Sequence, residues 1–156
     1  MKYIFAVLIA VISIQLQAKD AQLKFSDYPV SIFTGKNATM ILNKDTRTFR
    51  TRFGYLKNEK PNYAGHYVVD TFGCGGGCIA GMAFNVKTGE TQFLPFGALS
   101  GCYRDGKYID QDYEYKVESR LLVSTGMHDG DESCSVKYYV EEKGKIKLKK
   151  TEYLWK

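Results

Sequence analysis

Between Gly65 and the C-terminus, glycine-containing turns break this chain at short intervals, and three of the runs between them alternate apolar and polar residues with a period of two. No other feature constrains the fold as much. Successive side chains of a strand point to opposite faces, whereas a helix needs apolar residues every three or four positions. Ser133 to Glu141 places Cys134, Val136, Tyr138 and Val140 on one face. Lys145 to Trp155 sets Ile146 and Leu148 against Lys145, Lys147 and Lys149. Tyr113 to Val123 sets Tyr113, Tyr115, Val117, Leu121 and Val123 against Glu114, Lys116, Glu118 and Arg120, and reads as a single strand. Lys87-Thr88-Gly89 and Glu142-Lys143-Gly144 are hairpin turns, with glycine where a left-handed residue is wanted.

Shorter runs at 66–72, 79–86 and 90–94 add strands, as do 30–33 and 38–42 around a turn at Gly35-Lys36-Asn37. The stretch 45–57 is double-valued. Phe49, Phe53 and Leu56 fit a helix with Asp45 near its N-cap, while Phe49, Thr51, Phe53 and Tyr55 fit a strand. It is read as a helix. The expected fold is therefore mainly β, at the margin of α+β. It is a single antiparallel domain over 19–156, with about eight strands, at most one helix near 46–57 and one solvated sheet face. Twelve tyrosines and nine phenylalanines among 156 residues favour the same class.

The start of the chain reads as an address rather than as part of the fold. Lys2 precedes an apolar run from Ile4 to Ile14, followed by Gln15-Leu16-Gln17-Ala18. This is the layout of a cleavable signal peptide over 1–18, and the run is too short to span a bilayer, which takes roughly 20 apolar residues. Export to the periplasm or beyond is expected, with no membrane insertion after cleavage. Removing Lys2 leaves 21 basic and 17 acidic residues, a net of +4, too mild and scattered to call for nucleic acid.

Four cysteines suit that compartment: Cys74, Cys78, Cys102 and Cys134 are an even set, and disulfides are their default state. Of the three pairings, Cys74–Cys78 with Cys102–Cys134 is favoured, because three glycines let the chain close so short a ring. The spacing lacks the paired knuckles of a zinc site, so no metal or cofactor is expected. Cys74-Gly-Gly-Gly-Cys78 is one residue longer than the redox C-x-x-C signature and lies between strands, which makes it a staple first and a redox centre second.

Other chemistry is thin. His66 would need a nucleophile and an orienting partner to act as a base, and a structural histidine at a strand start is the simpler reading. His128, in the polar run 127–132, reads as a solvated loop residue. Asp105, Asp110 and Asp112, and Asp129, Asp131 and Glu132, match no calcium loop. The lysines at 143, 145, 147, 149 and 150 suit the protected edge of a sheet, or contact with an anionic surface.

The segments Pro61-Asn-Tyr-Ala-Gly-His-Tyr67, Gly73-Cys-Gly-Gly-Gly-Cys78, Lys87-Thr-Gly89, Leu94-Pro-Phe96 and Ser119-Arg-Leu-Leu-Val123 resemble a family of small exported bacterial proteins. Its pattern runs N-F-A-G-H-Y, G-C-G-x-x-C, K-T-G, S-R-L-L, and this chain departs from it with Tyr63 in place of phenylalanine. The resemblance spans about residues 45 to 140 and implies an exported bacterial protein on a shared scaffold, without implying a catalytic residue. No complete catalytic set assembles. The expected role is non-enzymatic binding of a protein partner in the cell envelope, as an inhibitor or immunity protein against an envelope enzyme. Tyr63, His66, Tyr67, Gly75, Gly76 and Gly77 are the candidate surface. An enzyme or thiol-redox protein using His66 or the Cys74/Cys78 pair, and a structural envelope protein, are the alternatives.

Overall fold

The computed structural model describes residues 22–155. The proposed signal peptide lies outside them. Nine strands occur among the described residues: β1 (Tyr67–Gly75), β2 (Cys78–Asn85), β3 (Thr91–Ser100), β4 (Cys102–Arg104), β5 (Lys107–Ile109), β6 (Asp112–Tyr115), β7 (Leu121–His128), β8 (Ser135–Glu142) and β9 (Lys145–Tyr153). Every strand-to-strand pairing is antiparallel. The fold is mainly β, with two disulfides, Cys74–Cys78 and Cys102–Cys134, at Cα separations of 5.3 Å and 6.0 Å.

The main sheet runs β1-β2-β3-β7-β8-β9, with β6 also paired to β7. Only the last residues of β3 and β7 join its two halves, at Leu99 opposite His128 and Ser100 opposite Met127. The β1–β3 and β6–β9 halves bury a common core of Tyr63, Tyr67, Val69, Ala83, Leu94, Phe96, Leu99, Leu122, Tyr139 and Ile146. The strand alternation delivers one face of each half to this core.

The expectation of one solvated sheet face does not hold. A short helix, α1 (Arg50–Gly54), brings Phe53, with Leu56 just after it, onto Val68, Met82, Phe84 and Val86 of the β1–β2 outer face. Leu23, Phe25 and Tyr28 cover Leu121, Tyr138 and Val140 on the other half. The segment before β1 is thus a strap over both outer faces, and buries apolar side chains that water would otherwise meet.

That role explains a second correction. The runs 30–33 and 38–42 do not form a hairpin. Their amides go elsewhere: Phe33 N donates to Gly65 O at 2.7 Å, Ala38 N to Val86 O at 2.8 Å and Ile41 N to Gly89 O at 2.7 Å. Gly65 and Gly89 have φ of 71° and 85°, and a Cβ on either would collide with the carbonyl of Ser31 or Thr39. The strap can lie this close only because both positions are glycine. At the helix, Asn43 rather than Asp45 gathers the free amides, its Oδ1 accepting from Asp45 N and Thr46 N.

The stretch expected as one strand from Tyr113 to Val123 is two strands folded against each other. The carbonyls of Val117, Glu118 and Ser119 accept from Gly65, Val30 and Ala64 of the strap and the β1 lead-in, so the ladder cannot continue through them. The chain reverses instead, and β6 pairs with β7 from Asp112–Thr125 to Tyr115–Leu122. Leu148 departs too: a register shift between Tyr138 and Tyr139 places it opposite Tyr139, but it is exposed while Ile146 stays buried.

Candidate functional site

The six sequence-selected residues do not form one surface. Tyr63 and Tyr67 are core residues with essentially no exposed area, and the Tyr63 hydroxyl donates to Arg120 O at 2.7 Å. Burial raises both phenols above the ordinary tyrosine range, Tyr67 to about 12. His66 is half-buried with its ring 4.7 Å from that of Tyr67. Burial lowers its pKa, Lys87 adds to the shift and Glu141 opposes it. No hydroxyl or thiol hydrogen-bonds to its ring among the described residues, so the partner set of a general base is missing there. Gly75, Gly76 and Gly77 are exposed at the opposite end of β1, about 26 Å away along a nine-residue strand.

That second end gathers the features with the most chemistry. Register carries it across the whole sheet: Gly75 is opposite Cys78, Ile79 opposite Leu99, Leu99 opposite His128, Gly126 opposite Ser135, and Ser135 opposite Tyr153. The glycine tip, both disulfides, the 129–133 turn and the C-terminal Tyr153 therefore share one edge of the molecule. The β4–β5 hairpin projects from it. Cys102, buried at the hairpin base, is bridged to buried Cys134, and Tyr103 faces Tyr108 across the two strands. Both tyrosines lie open to solvent, 72% and 59% exposed. Gln111 Nε2 ties the glycine tip to this region by donating to Gly77 O at 3.0 Å.

No family of known proteins, no curated protein and no solved structure matches this chain.

The same end contains a polar network that reading His128 as a solvated loop residue overlooked. His128 closes β7 and is 2% exposed. Its Nε2 lies 2.7 Å from Ser124 Oγ and its Nδ1 3.2 Å from Ser135 Oγ and 3.6 Å from Asp131 Oδ2, while Asp131 is paired with Lys137 at 2.8 Å. The period-two pattern carried the signal, since Leu122, Ser124, Gly126 and His128 occupy the same buried face. A serine, a histidine and an aspartate in this order have the composition of a nucleophile, base and orienting acid. Ser124 and His128 are both sealed from solvent, however, and Ser135 stands beside Nδ1. The arrangement satisfies buried polar groups and offers no surface to a substrate.

Burial, reinforced by Lys137 and partly opposed by Asp131, lowers the His128 pKa to about 4. The folded protein holds this imidazole neutral where the unfolded chain, titrating near 6.5, begins to bind a proton. Stability from His128 is complete above pH 6.5 and is lost as pH falls from there to about 4, up to about 3 kcal/mol in all. His66 acts with the same sign. Urea titrations across that window should show stability falling with acid in the parent protein and a clearly shallower fall in His128→Gln. Equal slopes would remove His128 as the cause.

β9 is a sheet edge, and Lys147 and Lys149 pair with Glu142, the latter at 2.6 Å, while Lys150 pairs with Glu152 at 2.8 Å. Charge of this kind discourages pairing with another chain. Among the described residues no three His, Cys, Asp or Glu side chains group as metal ligands.

A groove of about 1020 Å³ lies at the end of the sheet away from the disulfides, between the strap at 32–40 and the loop at 57–61. Val117, in the turn that leads into β7, forms part of its wall. Sequence reasoning gave no sign of it, because it exists only where two segments distant in the chain are held apart.

Proposed function

We propose that this chain is an exported, non-enzymatic binding domain that engages a protein partner in the cell envelope, in the manner of an inhibitor or immunity protein. The observation that carries the reading is the β4–β5 hairpin, which holds Tyr103 and Tyr108 out into solvent from a base locked by the Cys102–Cys134 bridge. Tyrosine is enriched among the residues that dominate protein interfaces, and a rigid mount lowers the entropy lost on binding. The four cysteines, all paired, suit an oxidising compartment. Among the described residues no helix is long and apolar enough to cross a membrane.

The test is a binding comparison between the parent protein and Tyr103→Ala/Tyr108→Ala, both purified with disulfides intact, against the envelope proteins that the parent captures. The expected result is a defined complex weakened by about tenfold or more in the variant, with thermal unfolding unchanged because neither ring is buried. Equal affinity in the two proteins would overturn the assignment of the hairpin.

A second reading, thiol–disulfide exchange, is favoured by one observation: Cys74 is exposed at a hairpin tip flanked by three exposed glycines. Exposed bridges are the more easily reduced ones.

A further inference from the structure

We infer that the groove between the strap and the 57–61 loop binds single-chain anionic amphiphiles, molecules with one acyl-length apolar tail and a carboxylate or phosphate head. Its volume of about 1020 Å³ stands just above the range of roughly 300–1,000 Å³ for small-molecule sites. Ile32, Phe33, Met40 and Val117 supply an apolar lining, and Lys36, Lys57 and Lys60 stand around it with Glu59 as the only carboxylate.

The charge pattern selects the ligand class. Lys137, Lys147, Lys149 and Lys150 each have a carboxylate partner. Lys36, Lys57 and Lys60 have none among the described residues, although all three line one concavity. Three lysines lining an apolar trough, with one acid among the lining residues, leave a positive potential that an anionic head neutralises while its tail leaves water for the trough. A neutral amphiphile would gain only the second term. A hydrophilic polyanion would gain only the first.

The groove is also built before any ligand arrives. Asn37 Nδ2 donates to Lys57 O at 3.0 Å and to Glu59 O at 2.9 Å, spanning from strap to loop. On the strap side, Phe33 and Ala38 are fastened by the backbone bonds to Gly65 and Val86. Walls held this way lose little freedom on binding. The site is remote from the tyrosine hairpin, so it stands or falls independently of the envelope-protein reading.

Isothermal titration of the full mature protein with laurate, dodecyl phosphate and dodecyl maltoside, each below its micelle concentration, tests the inference. Laurate, dodecyl phosphate or both should bind with one-to-one stoichiometry, and dodecyl maltoside about tenfold more weakly or not at all. A preference for laurate assigns the site to free fatty acids, and a preference for dodecyl phosphate to phospholipid-derived heads. The Lys36→Glu/Lys57→Glu/Lys60→Glu variant should lose about tenfold or more in affinity, and so should Ile32→Glu, whose side chain is half exposed and leaves the core untouched. The corresponding triple glutamine variant replaces the triple glutamate one if that chain lacks the parent's β-sheet circular dichroism. Absence of binding by both anions, equal affinity for dodecyl maltoside, or undiminished binding by the folded lysine variant would each overturn it.

Discussion

Tyr63→Ala is expected to destabilise the protein by about 4 kcal/mol, and Tyr63→Phe by about 1 kcal/mol. The alanine variant empties a ring-sized space where Tyr63 packs against Tyr67 and Tyr115, at ring-centroid distances of 6.0 Å and 6.2 Å, in the core common to both halves of the sheet. The phenylalanine variant keeps the packing and loses only the hydroxyl bond to Arg120 O. Urea unfolding of the three proteins reads both numbers directly. A surface residue would behave in the opposite way, with unfolding unchanged and only binding affected, so an alanine cost below about 1 kcal/mol would return Tyr63 to the candidate surface.

The second large effect concerns the disulfides, which are expected to contribute unequally. Removing Cys102–Cys134 as a pair of alanines should cost about 4 kcal/mol, because that bridge closes a 32-residue separation in the unfolded chain. Removing Cys74–Cys78, with a separation of 4, should cost about 2 kcal/mol. Their accessibility differs in the same sense. Cys102 and Cys134 are buried, whereas Cys74 is exposed. Under graded reductant followed by alkylation and mass spectrometry, Cys74 and Cys78 should be labelled first, in protein that still unfolds cooperatively. Labelling of Cys102 and Cys134 at the same reductant concentration would contradict the burial contrast. It would also weaken the exchange reading, which needs one bridge to open while the other holds.

Strands β8 and β9 were legible because their alternation is written into a short local window, and β1, β2 and β3 because turn residues bound short apolar runs. The hairpin turns at Gly89 and Gly144 were legible for a similar local reason, since φ values of 85° and 82° call for glycine. The break between β6 and β7 was not. Tyr113 to Val123 keeps its period through a reversal, because hydrogen bonds from Val30, Ala64 and Gly65, far away in sequence, intercept the carbonyls at the turn. The candidate site fared less well than the fold. Tyr63 and Tyr67 were selected as interface tyrosines, but aromatic composition is the same for a core ring and a binding ring, and only burial separates them.

Local rules acting on the sequence alone determined that this chain is mainly β and antiparallel, where its principal hairpins turn, and that Cys74 can close on Cys78. Those properties depend on side-chain alternation, on glycine at turns and on ring closure over a few residues. The tertiary structure alone decided that the 22–63 segment straps the outer sheet faces, that His128 is sealed and neutral, and that both disulfides share an end with the tyrosine hairpin. It also decided that three lysines with no carboxylate partner among the described residues line one apolar groove. Each of these follows from contacts between segments far apart in the chain, and the free energy of such contacts depends on which surfaces meet.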